Sequence, residues 1–381
     1  MDAPFTISIP CALVEERVPE IHPLLLGHGI FGAGEEMVRG IPVGVSEVLS
    51  QFPGSQPWRY IAGATDWTGW SAPDRFWVAF RIIGFGDSQL HHFEAFPDRH
   101  RQGQANTLIL SRMMKQGLFN QDPAFQLDGE GVFPGEDTEQ YYYGISMGGV
   151  QGLFHAALSP DIEKFGIDVG SINFAMLLQR STQFESPSSV LSFKGLLDNI
   201  GLSDPLTQLL GIGLLHEVWV AGDPSGYATH ITSDPLPGSI AKKILLTPAW
   251  LDHQVSNQGT EITARTLGVK SLHGSLQQGL VGVPDASPGE ALDSGLVMYG
   301  TGLDILNPAH QPFIPPLANK IIEDDSCDPH GARPSIPAGM QQLLTFLQPG
   351  GRIENFCNGV CDAEEPWEIA GGADAPCDPL E

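Results

Sequence analysis

Apolar runs short enough for single strands alternate along most of the chain with stretches of helical spacing. Residues 5–9, 22–26, 58–64, 140–145, 165–169, 243–247 and 295–299 are apolar or aromatic, and each is predicted as a strand. Helical periodicity is read over residues 150–158, from about residue 257, and over 336–347. Strands alternating with helices predict an α/β fold, a mostly parallel sheet flanked by helices on both faces. Residues 185–239 break the alternation: SSVLSFKGLLDNIGL and DPLTQLLGIGLLHEVW read as amphipathic helices joined by Pro and Gly turns. The segment is expected to be a helical lid inserted between two core strands. Residues 1–184 and 240–349 then form the two parts of the core, and 350–381 an irregular acidic tail containing cysteines.

Where the strand before residue 146 meets the helix after it, the chain reads YYYGISMGGVQGLF. A serine between glycines two before and two after suits a very tight strand-to-helix turn. Lacking Cβ atoms, Gly144 and Gly148 let the backbone close up and hold Ser146 strained, its hydroxyl projecting from the end of the sheet. The helix begins directly beneath, so its free N–H groups face any negative charge that forms there. The alternative is a glycine turn with a capping serine.

Composition narrows the chemistry. A chain of 381 residues, 41% hydrophobic, can fill a sizeable core. Nineteen Lys and Arg against 45 Asp and Glu give a formal net charge of −26, which repels nucleic acid and anionic membrane surfaces. No apolar run approaches the roughly 20 residues of a membrane span, and MDAPFTISIP has none of the segments of a signal peptide. Of five cysteines, Cys327, Cys357, Cys361 and Cys377 lie in late, loop-like sequence, with Cys11 alone near the start. Two disulfides are expected, Cys357 with Cys361 and Cys327 with Cys377, which would place the protein in an oxidising compartment, secreted or periplasmic. A four-cysteine metal site is the alternative; it lacks a C-x2-C pair, and only His330 lies near.

A serine nucleophile needs an oxyanion hole, an acid and a base. After the strand at 22–26 comes GHGIFGAG, a sharp turn at the strand end where ligands bind in open α/β sheets. The N–H groups of Ile30 and Met147 are the candidate oxyanion donors. Asp252, just past the strand at 243–247, is the candidate acid, with Asp304 in reserve. For the base two histidines stand in late loops: His330 in CDPHGARPS, favoured because a helix follows it, and His310 in NPAHQPF. Phe31, Trp67 and Trp70 are candidate pocket residues, with ordinary core packing as the competing reading.

The order Ser146, Asp252, His330 behind a Gly27-His28-Gly29 turn resembles the α/β-hydrolase superfamily, and more narrowly its bacterial serine esterase and lipase-like members. The resemblance covers residues 5–347 and implies the α/β-hydrolase fold, a lid where 185–239 lies, and no cofactor. It also implies cleavage of carboxylic esters through an acyl-enzyme, the expected substrate being a small-molecule or polymeric ester of short to medium acyl chain. Amide or peptide hydrolysis by the same triad, or a non-catalytic binding module on the same scaffold, stay open as alternatives. One clear strand precedes the oxyanion strand where the family usually has two, leaving room for the natural chain to begin upstream of Met1. About 30 residues separate the last strand from His330, more than usual in the family.

Overall fold

The computed structural model of the protein describes residues 3–10, 21–50, 58–78, 93–185, 193–318 and 320–362. Its strands are β1 (Phe5–Ser8), β2 (His22–Gly27), β3 (Tyr60–Thr65), β4 (Gln126–Leu127), β5 (Glu130–Gly131), β6 (Gln140–Ile145), β7 (Ile162–Asp168), β8 (Lys243–Thr247), β9 (Lys270–Ser271) and β10 (Gly295–Leu296). Eight of them make one sheet in the order β1-β3-β2-β6-β7-β8-β10-β9, while β4 and β5 pair apart as a small hairpin. Within the large sheet only β1 runs antiparallel, against β3. The mostly parallel α/β architecture expected from the alternation of strands and helices is thus the observed one. Every predicted strand is present with its ends shifted by at most a few residues.

Both faces of the sheet are covered, which is why its strands read as apolar runs rather than alternating ones. Leu25, Ile61, Tyr142, Phe165 and Leu246 point into one core, packed under the helices Ala95–Lys115, Met147–Leu158 and Asn257–Leu267. Leu24, Leu26, Tyr141, Tyr143 and Leu245 point into the other, under the helices Gly34–Ser50 and Pro337–Phe346. The packing is close: a Cβ on Gly166 would stand 2.4 Å from the Leu343 side chain. Each such buried Leu or Phe contributes about 1.5–3 kcal/mol relative to an exposed one.

Register decides what meets at the edge of the sheet. Gly27 at the end of β2 lies opposite Gly144 in β6, Ile145 opposite Asp168 at the end of β7, and Asp168 opposite Thr247 at the end of β8. Four strands therefore stop almost level, and the loops that leave them share one side. Between β7 and β8 the chain forms the helices Phe193–Asn199 and Pro205–Trp219, then shorter helical turns to Thr232. The described part of the segment where the periodicity breaks, 193–232, is thus largely helical; residues 186–192 lie outside the described ones.

Cys357 and Cys361 form a disulfide, as expected, while Cys11 and Cys377 lie outside the described residues. The bridge closes the short loop 357–361, which backbone hydrogen bonds tie to the segments after β9 and β10. Cys361 is buried, its N–H donates to the Gly274 carbonyl at 2.7 Å, and its carbonyl accepts from Gly300 N–H at 2.8 Å. Replacing both cysteines with Ala is expected to lower the unfolding free energy by about 2 kcal/mol, the low end for a bridge closing so short a loop. Urea denaturation of the double variant measures this; an unchanged midpoint would show that the bridge restrains nothing of consequence.

Candidate active site

Ser146 stands at the sharp turn from β6 into the helix Met147–Leu158 with φ 59° and ψ −121°, a backbone state that costs a non-glycine residue about 1–3 kcal/mol. What holds it there is backbone against backbone. A Cβ on Gly148 would lie 2.0 Å from the Gly27 carbonyl oxygen, and one on Gly144 would lie 2.3 Å from the Gly148 carbonyl oxygen, so only glycine lets the helix cross the end of β2. Tyr142 Oη donates to the Gly148 carbonyl at 2.5 Å, and Ser146 N–H donates to the Asp168 carbonyl at 3.0 Å. Met147 is the first helical residue, so its N–H has no acceptor one turn back. Phe31, Val169 and Leu251 also have positive φ, and they lie just past the ends of β2, β7 and β8. Backbone strain therefore gathers along the edge where the four loops meet.

The turn after β2 is built around a neutral histidine. His28 Nδ1–H donates to the Gly29 carbonyl at 2.7 Å, and its Nε2 accepts from Trp67 N–H at 2.8 Å, which settles the tautomer. Burial lowers the His28 pKa, keeping the ring uncharged. Phe31 N–H donates to the Trp70 carbonyl at 2.7 Å and Ala72 N–H to the Gly32 carbonyl at 2.9 Å, so the turn is zipped to residues 67–72. Gly29 faces the serine: a Cβ there would be 3.7 Å from Ser146 Cβ and 3.9 Å from its Oγ. The glycine turn and the serine turn, separate in sequence, are thus in contact.

Asp252 and His330 meet as well. Asp252 Oδ1 accepts from the N–H groups of Gln254 and Val255, both at 2.8 Å, which orients the carboxylate. His330 Nδ1–H donates to Asp252 Oδ2 at 2.8 Å, with Oδ1 at 3.0 Å. Asp328 ties the two loops together, accepting from His330 N–H at 3.0 Å, His253 N–H at 3.2 Å and the Gln254 side-chain amide at 2.8 Å. The other ring nitrogen, His330 Nε2, is buried without a hydrogen-bond partner among the described residues. Burial pushes His100 and His155 down to about 3. For His330 burial acts in the same sense, but the charge and hydrogen bond of Asp252, helped by Asp328 and Asp168, outweigh it and the pKa is raised above 6.5.

His310 belongs elsewhere. Its Nδ1 accepts from Asp304 N–H at 2.9 Å and its Nε2 lies 3.3 Å from the Asn307 side-chain amide, while Asp304 Oδ1 accepts from Leu306 N–H at 2.8 Å. The two reserve residues build one turn, with no hydrogen bond between their side chains. Trp67 and Trp70 are 2% and 1% exposed; Trp70 stacks on His100 and Trp219 and meets Phe96 and Phe174 edge-on. They lie in the core, as the packing reading had it, and Phe31 leans on Trp70 from the site side at 6.2 Å between ring centroids. Asp328 went unread in the sequence although Asp-Pro-His carries the signature of a capping aspartate ahead of a helical turn.

Among the described residues no group of three or more His, Cys, Asp or Glu could hold a metal ion, and no helix is long and apolar enough to cross a membrane. No family model matches the chain, and no curated protein matches it. Solved structures similar to it include the acylaminoacyl peptidase of Pyrococcus horikoshii, at 11% identity and TM-score 0.41 over 92% of this chain and 39% of that one. An acetyl xylan esterase from Thermoanaerobacterium sp. is similar at 11% identity and TM-score 0.39, over 74% of this chain and 69% of that one. For the dienelactone hydrolase of Anabaena variabilis the values are 12% and 0.35, over 78% and 80%. The chain spans less than half the length of the peptidase.

Two glycines separate holding the site from presenting it. Gly148→Ala drives a methyl group into the Gly27 carbonyl and is expected to cost several kcal/mol and yield little folded protein. Gly29→Ala meets Ser146 only at ordinary contact distance, so the protein should fold with an unchanged melting temperature while fluorophosphonate labelling of Ser146 slows. Circular dichroism and labelling rates check both, and equal stability of the two variants would contradict the packing described.

Proposed function

We propose that the protein is a serine hydrolase that cleaves carboxylic esters through an acyl-enzyme, with Ser146 as nucleophile, His330 as base and Asp252 as the acid that orients it. The observation that carries this reading is the pairing of His330 Nδ1–H with the Asp252 carboxylate at 2.8 Å, which leaves the buried Nε2 free, in loops that leave the same sheet edge as the strained Ser146 turn. An imidazole oriented in this way can take a proton only at Nε2.

In this mechanism Ser146 Oγ attacks the ester carbonyl carbon as its proton passes to His330 Nε2, and Asp252 stabilises the resulting imidazolium. The oxyanion of the tetrahedral intermediate accepts from the N–H groups of Met147 and Ile30. The first opens a helix and the second has no protein acceptor among the described residues, so neither gives up an existing bond to make the new one. The imidazolium then protonates the departing alcohol. Water enters, gives a proton to His330, and attacks the acyl-enzyme; return of that proton to Ser146 Oγ releases the acid and restores the enzyme. The residues named carry out every step without a cofactor.

The substrate we propose is a small-molecule or polymeric ester of short to medium acyl chain, with the helices of 193–232 acting as a lid over it. The aromatic cluster of Trp70, Phe96, Phe174 and Trp219 behind Phe31 is already filled, so a long chain would have to displace packed rings. The Cys357–Cys361 bridge supports an oxidising compartment as the working location.

Ser146→Ala and His330→Ala should each lower kcat on the order of 10⁴- to 10⁶-fold, and the double variant scarcely further because the residues act as a unit. Asp252→Asn should cost about 10⁴-fold. His310→Ala should leave kcat within a few-fold. Because the base must be neutral and Asp252 raises its pKa, kcat/KM should rise with pH along a limb centred above 6.5. A centre well below that value, or turnover lost with His310 and kept without His330, would move the base elsewhere. Across p-nitrophenyl esters, rates should peak at acetate to octanoate; a maximum at palmitate would refute the chain-length proposal, and turnover of anilides in preference to esters would assign the protein to amide hydrolysis instead.

A further inference from the structure

Asp168 and Arg333 are both completely buried and form an ion pair. Neither takes part in the chemistry above, and a buried ion pair seldom adds stability over apolar side chains of the same size. Its place in the fold supplies a reason for it. Asp168 ends β7; its carboxylate accepts from Tyr143 Oη at 2.5 Å and from Thr247 Oγ1 as well as from Arg333 Nη2. Arg333 Nη2 also donates to Tyr143 Oη at 3.1 Å, and the guanidinium lies over the Tyr143 ring.

Three members of this cluster stand a few residues from a member of the candidate triad, and the fourth touches one. Tyr143 is in β6, three positions before Ser146. Thr247 ends β8, whose following loop carries Asp252. Arg333 follows His330 within two consecutive helical turns, Pro329–Gly331 and Arg333–Ser335, closed by Ala332 N–H to the Pro329 carbonyl at 2.9 Å. Asp168 touches Ser146 directly, since its own carbonyl accepts the serine N–H at 3.0 Å. His330 sits on a loop far from the sheet in sequence, and this cluster ties the turn that follows it to the ends of β6, β7 and β8.

We propose that Asp168 and Arg333, with Tyr143 and Thr247, are positioning residues that hold His330 and Asp252 in register with Ser146. The proposal rests on the assignment of Ser146, Asp252 and His330 given above. A charged pair suits this task better than apolar packing because hydrogen bonds fix direction as well as distance. Small displacements matter at such a site, where about 1 Å of misplacement can cost on the order of 10²-fold in rate.

The test compares purified Asp168→Asn/Arg333→Met, Tyr143→Phe, Thr247→Val and Arg333→Lys with the unaltered protein. It reads kcat and KM on p-nitrophenyl butyrate, the rate of fluorophosphonate inactivation, and thermal unfolding. The double variant carries no unpaired charge and is expected to fold with a melting temperature close to the original. Its kcat and inactivation rate should fall together by about 10- to 100-fold with KM within about twofold. Tyr143→Phe and Thr247→Val, each lacking one hydrogen bond to Asp168, should lose several-fold in kcat, and Arg333→Lys should keep more activity than the double variant. A purely structural role predicts the opposite split, lower stability with unchanged kcat in the folded molecules, and that result overturns the proposal. If the double variant does not fold, the Tyr143 and Thr247 variants decide: unchanged kcat in both overturns it. Ser146→Ala separates the two levels. Activity surviving in Ser146→Ala sinks the triad assignment and this proposal with it, whereas activity lost in Ser146→Ala but untouched in the cluster variants sinks the positioning role alone.

Discussion

The helix that follows Ser146 can reach its place only by crossing the end of β2 at a distance no Cβ would tolerate, Gly148 against the Gly27 carbonyl. That approach depends on Gly27 and Gly144 lying side by side in adjacent parallel strands. Much of the site follows from it. The serine is forced into a positive φ, the first helical N–H groups are aimed at the space above it, and Gly29 of the next loop comes within contact distance of its side chain. A shift of register by one residue would turn every side chain of β6 to the opposite face and bury the serine turn against the wrong loop.

Electrostatics at the sheet edge reverse those of the molecule as a whole. The chain carries a large excess of acidic residues, yet the residues around Ser146 form small closed groups in which Asp168 and Asp252 are buried and Asp328 half-buried. Asp252 is met by His330 and two backbone N–H groups, Asp168 by Arg333 and two hydroxyls, and Asp328 by two backbone N–H groups and an amide. The two buried carboxylates, Asp168 and Asp252, are paired and hydrogen-bonded where an unpaired one would be too costly to bury. The contrast among histidines has the same origin. His100 and His155 have no carboxylate at hydrogen-bonding distance and burial makes them neutral, whereas His330 has one and holds a proton more readily. A buried histidine that can still cycle its proton is what general base chemistry needs.

Local features were readable because their causes are local. The strands of the central sheet are apolar because both faces are covered, and the Gly-x-Ser-x-Gly turn announces itself because the strain at Ser146 demands glycines at fixed offsets. The two-residue strands β4, β5 and β9 were not readable, since so short a pairing leaves no periodicity. Trp67 and Trp70 could be placed in a pocket or in the core with equal justice from sequence, as an indole suits either; both are buried in the core, Trp70 among aromatic neighbours from the helices Ala95–Lys115 and Pro205–Trp219.

What the sequence alone determined, then, was the class of sheet, the helices between β7 and β8, the serine turn and a short list of candidates to accompany it. Tertiary structure shows which of them meet. His310 and His330 both occupy late loops, and only the folded chain shows that one caps its own turn while the other reaches Asp252. The pairing of Asp168 with Arg333 had no signal at all, because an ion pair between residues 165 positions apart leaves no pattern in either neighbourhood. The physical reason is the same in both cases. Periodicity and turn chemistry record interactions over a few residues, whereas the partner of a buried charge is decided by which strand ends and loops the sheet brings together.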